Sequence, residues 1–430
     1  MLSEIKTDAK QLRNYLNQRQ QDVDSAIESQ VAAIIEAVRA NGDLALKQFS
    51  EKFDGVLLDD LSLSDEEIET LIADVDTDFI EAMQQAAANI RFFHEKQVRS
   101  GFEIKKPNGV ILGQRVMPLN RVGVYVPGGR AAYPSSVLMN VIPAKIAGVK
   151  EIVMVTPPNK EGMISPYIAA AAKIAGVDKI YKVGGAQAIA ALAYGSETIQ
   201  PVDKIVGPGN MYVACAKRMV YGIVDIDMIA GPSEILVIAD AGSNPEYVAA
   251  DLLSQAEHDP MASSILISNS ATTIEEVNKE LAIQSAQLPK REIVEASLQG
   301  YGRSILVNSI EEAIKISNLI APEHLELQVD NPEIYLDQVI NAGSVFLGYY
   351  TCESLGDYFC GTNHVLPTNG TARFYSPLGV DSFIKRSSYS YYPQEALYED
   401  GDKIINIAEH EGLRAHANAV RVRIKDERNK

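Results

Sequence analysis

Cysteine is scarce in this chain of 430 residues: Cys215, Cys352 and Cys360 make an odd number, too few for a disulfide framework. A reducing compartment fits. Long apolar runs are missing as well. No uncharged stretch reaches the roughly 18 residues a membrane-spanning helix needs, and even the run at 183–193 is interrupted by Gln187. The segment 1–20 scatters charges where a signal peptide needs an apolar core, so the cytoplasm is the expected location. Positive charge is in deficit: 39 Lys and Arg against 57 Asp and Glu leave a net charge of −18, which repels a phosphate backbone and excludes nucleic acid as an expected partner. There is no repeat of fixed period, and no Gly-x-Gly-x-x-Gly fingerprint follows a strand-like run.

What is present is ordinary globular material, 46% hydrophobic and 22% charged, in a chain long enough for more than one core. Apolar residues at helical spacing predict helices over 27–49 and 65–96, with an acidic turn near Asp59 between them. From Arg121 the rhythm changes. Short β-rich runs (VGVYV, KEIVMV, KIYKV, ILVIAD) alternate with helical patterns such as VLMNVIPAKIAG and AQAIAALAYG. The alternation resumes after Asp240, with strands expected at SSILISN, RSILVNS and AGSVFLG, and such alternation predicts parallel sheets in two α/β units. The end of the chain, 404–422, reads as a charged helical stretch.

Glycine-rich turns end three of the β-rich runs: Tyr125-Val126-Pro127-Gly128-Gly129, Val183-Gly184-Gly185-Ala186-Gln187 and Val206-Gly207-Pro208-Gly209-Asn210. Ligands bind at the carboxyl ends of strands in open α/β sheets, and glycine lets a backbone approach a phosphate, so a dinucleotide is plausible there. Tight turns with positive φ account equally well for any single loop. In Ser254-Gln255-Ala256-Glu257-His258, a spacing of three puts Gln255 and His258 on one helical face, where they could grip a metal. Against that, a helical histidine is more often structural, and an amide oxygen is an uncommon zinc ligand.

Pro322-Glu323-His324 sets a carboxylate beside an imidazole, and Asp357 and His364 bound a glycine-flanked loop, the residue types that acid–base and metal chemistry use. The plain alternative is that Glu323 and His324 end a helix and Asp357 caps one. Glu411 and His416 sit on what reads as a solvated terminal face, and His94 and His410 read as surface residues. Cys360 lies in the same loop as Asp357, but nothing marks it as a thiolate, and a buried inert thiol is the expected state.

Taken together, RVGVYVPGG, VGGAQAIAALAYG, DKIVGPGN, AGPSE, DLLSQAEH, PEHLEL, AGSVFLG, GDYFCGTNHVLPT and AHANAV resemble, in order, the pattern of histidinol dehydrogenases, from about residue 114 to 422. The resemblance implies oxidation of L-histidinol to L-histidine through an aldehyde, with reduction of two NAD. It implies one zinc ion per subunit held by Gln255, His258, Asp357 and His416. Substrate contacts follow at Ser233, Gln255, His258, His324, Asp357, Glu411 and His416, and NAD contacts at Tyr125, Gln187 and Asn210. His324 is then the general base and Glu323 activates water, so no catalytic cysteine is required, while zinc positions the substrate; His364 is a secondary candidate near the reacting carbon.

The implied fold is two incomplete Rossmann-like domains with parallel sheets and small helical segments at both ends. Its divisions are a small helical segment 1–25 with 379–391, a larger α/β domain 26–124 with 235–378, an inserted NAD-binding domain 125–234, and a C-terminal helical segment 392–430. The resemblance further implies a domain-swapped homodimer in which that last segment completes the partner's site. Two rivals use the same residues: a zinc hydrolase with Glu323 and water, and a metal-stabilised binding protein without turnover.

Overall fold

The computed structural model describes residues 1–5, 11, 25–128 and 133–428. The expected helical segment 1–25 therefore lies largely outside the described residues. Two compact units divide the chain, Met1–Gln97 with Leu119–Phe383, and Val98–Pro118 with Ile384–Lys430.

The first unit holds two sheets, one of five strands and one of six, and every pairing in both is parallel. In the five-stranded sheet the spatial order is Lys179–Tyr181, Glu151–Val155, Arg121–Tyr125, Lys204–Val206, Asp225–Ile226. Numbered along the chain this is 3-2-1-4-5, the Rossmann order lacking its sixth strand. The six-stranded sheet repeats that order through Arg303–Leu306, Ser263–Ser268, Glu234–Ala239, His324–Gln328 and Ser344–Leu347, with Ser3–Glu4 added at the outer edge. The expected α/β class with incomplete Rossmann-like sheets is thus borne out.

Strands of this kind read as unbroken apolar runs because both faces are covered, and successive side chains pack on opposite sides. Ile235 and Val237 join the core under the helix Pro245–Ala256, with Val248 and Leu252. Leu236 and Ile238 join the core under Ile310–Ile320, with Ile314 and Ile320. The five-stranded sheet divides likewise: Val153 and Val155 pack with Val31 and Leu46 of the helix Ser25–Asp54, whereas Ile152 and Met154 pack with Leu138 of Pro134–Ala147.

The N-terminal helices differ in detail from expectation. Ser25–Asp54 is broken at Gly42, whose φ of 48° lets the chain turn where a Cβ would strike the Glu197 carboxylate. The stretch expected as one helix over 65–96 is two, Asp65–Ile72 behind a Ser64/Glu67 capping box and Thr77–His94.

The second unit is a three-stranded antiparallel sheet of Phe102–Lys105, Ile111–Pro118 and Ile384–Tyr391, followed by the helices Gln394–His410 and Arg414–Arg428. Residues 379–391 were expected to be helical. They form only the 3-10 turn Val380–Phe383, and 384–391 is a strand, because its eight residues pair in register with 111–118. Among the described residues no helix is long and apolar enough to cross a membrane.

Candidate active site

Chain geometry places Glu323 and His324 at the amino end of the strand next to one edge of the six-stranded sheet. The helix Ile310–Ile320 stops at Ala321, which takes φ 50°, and His324 opens the strand His324–Gln328 in register with Ile235 and Ser344. Both side chains are buried. Glu323 Oε2 accepts the backbone N–H of Glu234 at 2.9 Å. His324 Nδ1 lies 3.1 Å from the Glu234 carbonyl, which can only accept, so that nitrogen carries a proton and Nε2 is turned to Asp357 Oδ1 at 3.5 Å. The carboxylates of Glu323 and Glu353 each stand 3.8 Å from Nδ1.

Burial disfavours every charge in this group. It pushes the Glu323 carboxyl up to about 8 despite the nearby imidazole. For His324 burial acts against the imidazolium, but the carboxylates of Glu353, Glu323 and Asp357 outweigh it and hold the ring well above the usual histidine range. Burial also works upward on Asp357, where the hydrogen bond and charge of His324 prevail and keep it below the usual carboxylate range.

A donor cluster adjoins this pair. Among the described residues, the group of His, Cys, Asp and Glu side chains close enough to share an ion is His258, Glu353 and Asp357, with ligand atoms within 4.8 Å of one another. Gln255 is buried beside them, its amide satisfied only with the nitrogen towards Glu353, 2.8 Å from Oε1. Imidazole nitrogen with carboxylate and amide oxygen is a donor set that suits a borderline cation such as zinc. The local structure is not the expected helical face: the helix Pro245–Ala256 ends after Gln255, and His258 sits in the following turn, its N–H bonded to the Gln255 carbonyl at 3.2 Å. There it is exposed beside an open cleft of about 400 Å³ lined by Phe79, Met83, Tyr133, Tyr358 and Phe359.

Asp357 lies within the short helix Glu353–Tyr358 rather than capping one. The loop after it is tied down: Phe359 O accepts from Asn89, Asn363 donates to Met139 O, and His364 contacts the Asp357 carbonyl through Nδ1 at 2.9 Å and the Ser136 hydroxyl through Nε2 at 3.3 Å. With both ring nitrogens engaged, His364 braces the loop. Ser136 and Met139 belong to Pro134–Ala147, so a helix of the five-stranded sheet packs directly on this loop.

At the carboxyl ends of the five-stranded sheet the glycine turns meet. Tyr125 OH accepts the Gly185 N–H at 3.1 Å, and a Cβ on Gly185 would lie 2.6 Å from Gln187 Oε1, so Tyr125 and Gln187 close on the same glycine. Gly207, at φ 111°, leaves only 2.1 Å between an added Cβ and the Tyr125 carbonyl oxygen. A buried ion pair holds this loop from behind. Lys217 Nζ donates to Gly207 O at 3.0 Å and pairs with Asp227, whose other oxygen accepts the Gly207 N–H at 2.8 Å. Asn210 caps the helix Met211–Val220 through bonds to Tyr212 and Val213.

Of the other expected residues, Ser233 directly precedes the strand Glu234–Ala239 and is half-buried. Glu411 and His416 belong to the second unit, where both are exposed, Glu411 as the cap of Gln394–His410 and His416 on Arg414–Arg428. His410 is exposed as expected. His94 is not a surface residue: it is wholly buried, with Nδ1 2.9 Å from Gln97 Oε1, because the apolar face carrying Met83, Ala86 and Ile90 continues through it. Cys360, expected to be buried, is exposed, 3.0 Å from the Thr362 hydroxyl. Sequence reasoning missed Glu353. The signal available was its spacing of four from Asp357, which puts two carboxylates on one face of a helix.

A family model described as histidinol dehydrogenase matches residues 17–424. The chain is 56% identical to the histidinol dehydrogenase of Clostridium acetobutylicum, covering 95% of each chain, and 55% identical to that of Listeria monocytogenes, covering 93% of this chain and 94% of the relative. A crystal structure of histidinol dehydrogenase from Elizabethkingia anophelis superposes with a TM-score of 0.94 at 43% identity, over 100% of this chain and 99% of the other.

Proposed function

Since the chain belongs to the histidinol dehydrogenase family, we propose that it oxidises L-histidinol to L-histidine at the amino-end cluster of the six-stranded sheet, using NAD bound at the carboxyl ends of the five-stranded sheet, whose first strand begins at Arg121 rather than at the expected boundary of 125. The observation that carries this reading is the placement of His324: buried, with Nδ1 held by the Glu234 carbonyl and Nε2 turned towards the donor cluster.

Bound NAD would accept hydride, and a zinc ion held by Gln255, His258, Asp357 and the His416 of a second copy would fix the substrate's imidazole and amine. The protein's own groups handle protons. In its neutral form, available above its raised pKa, His324 takes the hydroxyl proton at Nε2 as the carbinol carbon loses hydride, leaving the aldehyde. Glu323, ionised above its raised pKa, then removes a proton from water as the water oxygen bonds to the aldehyde carbon, and the resulting gem-diol is oxidised a second time to the carboxylic acid. Ser233 and Glu411 of the second copy complete the substrate contacts, and Tyr125, Gln187 and Asn210 line the cofactor loops. His416 suits a role across copies because it is exposed on its own helix.

The test is absorbance of NADH after mixing zinc-loaded protein with excess NAD and limiting L-histidinol. Two NADH per histidinol are expected. No NADH formation would overturn the dehydrogenase reading and favour hydrolysis by the same metal and Glu323.

A further inference from the structure

Gln255 is the ambiguous member of the metal-binding set, because an amide presents either an oxygen or a nitrogen and only the oxygen can bind a cation. Its surroundings resolve the ambiguity. Gln255 is 1% exposed, so solvent cannot satisfy whichever atom faces away from an ion. With Nε2 turned to Glu353 the amide donates to Oε1 at 2.8 Å and Oε2 at 3.2 Å; His324 Nδ1 is also 3.3 Å from this nitrogen, but its proton is directed to the Glu234 carbonyl.

Glu353 is fixed from behind. The wholly buried Glu326 accepts the Glu353 backbone N–H at 2.8 Å. Gln328 Nε2 then bridges Glu326 at 2.8 Å and Asp251 at 2.7 Å. Asp251 lies one turn before Gln255 on the helix Pro245–Ala256, and Glu353 one turn before Asp357 on Glu353–Tyr358. Both helices that carry the proposed ligands are therefore strapped together through one set of buried hydrogen bonds.

We propose that Glu353 is a positioning residue for the metal centre: its carboxylate engages the amide nitrogen of Gln255 and leaves Oε1 as the atom presented to the cation. The proposal rests on the reading of Gln255, His258 and Asp357 as metal ligands. It treats the carboxylate of Glu353, although close to His258 and Asp357, as an acceptor for the amide rather than as a ligand.

The test is zinc affinity of the full-length protein, measured by competition with a chromogenic chelator, with circular dichroism and thermal melting to confirm folding. Glu353→Gln offers a second amide to the first and is expected to weaken zinc binding by about 10–100-fold, the usual range for a partner that orients a ligand. The exchange Gln255→Glu with Glu353→Gln restores an amide–carboxylate pair with the ligating oxygen now from position 255, and is expected to recover most of the affinity. A merely structural carboxylate would not be rescued in this way. Unchanged affinity in Glu353→Gln overturns the proposal, as does an equal loss from Glu353→Gln in a Gln255→Ala background, which would make Glu353 a ligand in its own right. Failure of the unsubstituted protein to take up zinc is a different result, since it overturns the metal reading before any substitution is made.

Discussion

The five-stranded and six-stranded sheets share the strand order 3-2-1-4-5, yet the residues of interest gather at opposite ends of them. In the five-stranded sheet the carboxyl ends of the first and fourth strands, where the order reverses, carry Tyr125 and Gly207, the usual place for a ligand in an open α/β sheet. In the six-stranded sheet the corresponding first strand is followed by Asp240. Asp240 accepts from Gly242, the Asp330 backbone and Tyr349, so its oxygens are fully engaged. There the chemistry-bearing groups, Ser233, Glu323 and His324, stand at the amino ends. A repeated topology thus does not fix where a site forms. The loops differ: at one sheet glycine turns bring backbone segments into close approach, whereas at the other buried carboxylates gather around an imidazole.

This contrast can be broken by substitution. The largest effect is expected from His324→Ala, which should lower kcat for histidinol by about 10²–10⁴-fold, the range of a positioned acid–base group, with NAD affinity unchanged by calorimetry. A matching loss of NAD affinity would show that the two ends are not separate.

Next is Lys217→Met, which leaves Asp227 buried and unpaired and should destabilise the fold by about 3–5 kcal/mol in chemical denaturation. Its effect on ligands should fall on NAD rather than on zinc uptake. Gly207→Ala is smaller. The strained backbone and the contact with the Tyr125 carbonyl should cost about 1–3 kcal/mol and weaken NAD binding, again without altering zinc uptake.

Much of the contrast was legible in the sequence. Strands such as 234–239 announce themselves as apolar runs rich in β-branched residues, since both faces are covered, and the glycine turns mark where several of them end. The antiparallel strand Ile384–Tyr391 was not legible: nearly all its residues are exposed, so no apolar alternation records it, and pairing with 111–118 supplies its structure. Glu353 escaped for a related reason. Two carboxylates four apart on a short polar helix look like a solvated face until packing sets them against His324 and Gln255. The Gln255–His258 spacing suggested the right residues by an incorrect geometry, because the helix ends between them. His94 was expected at the surface, though the helical period through Ile90 points it inward.

The smallest effect is in pH dependence. Glu323 titrates near 8 in the fold against an ordinary 4.5, so the folded chain holds an extra proton between those values. Its contribution to stability is full below 4.5 and is lost as pH rises through 8. In metal-stripped protein, Glu323→Gln should therefore lose less melting temperature than the unsubstituted chain on going from about pH 5 to about pH 9. Equal losses would mean that Glu323 is already ionised at the lower pH.

The central claim is that His324 and Glu323 divide two successive oxidations between them, and the most direct measurement is the NADH yield of Glu323→Gln with limiting L-histidinol. The account predicts one NADH per histidinol in the fast phase, with aldehyde trapped by a carbonyl reagent, against two from the unsubstituted protein. Two NADH formed at the unsubstituted rate would contradict it.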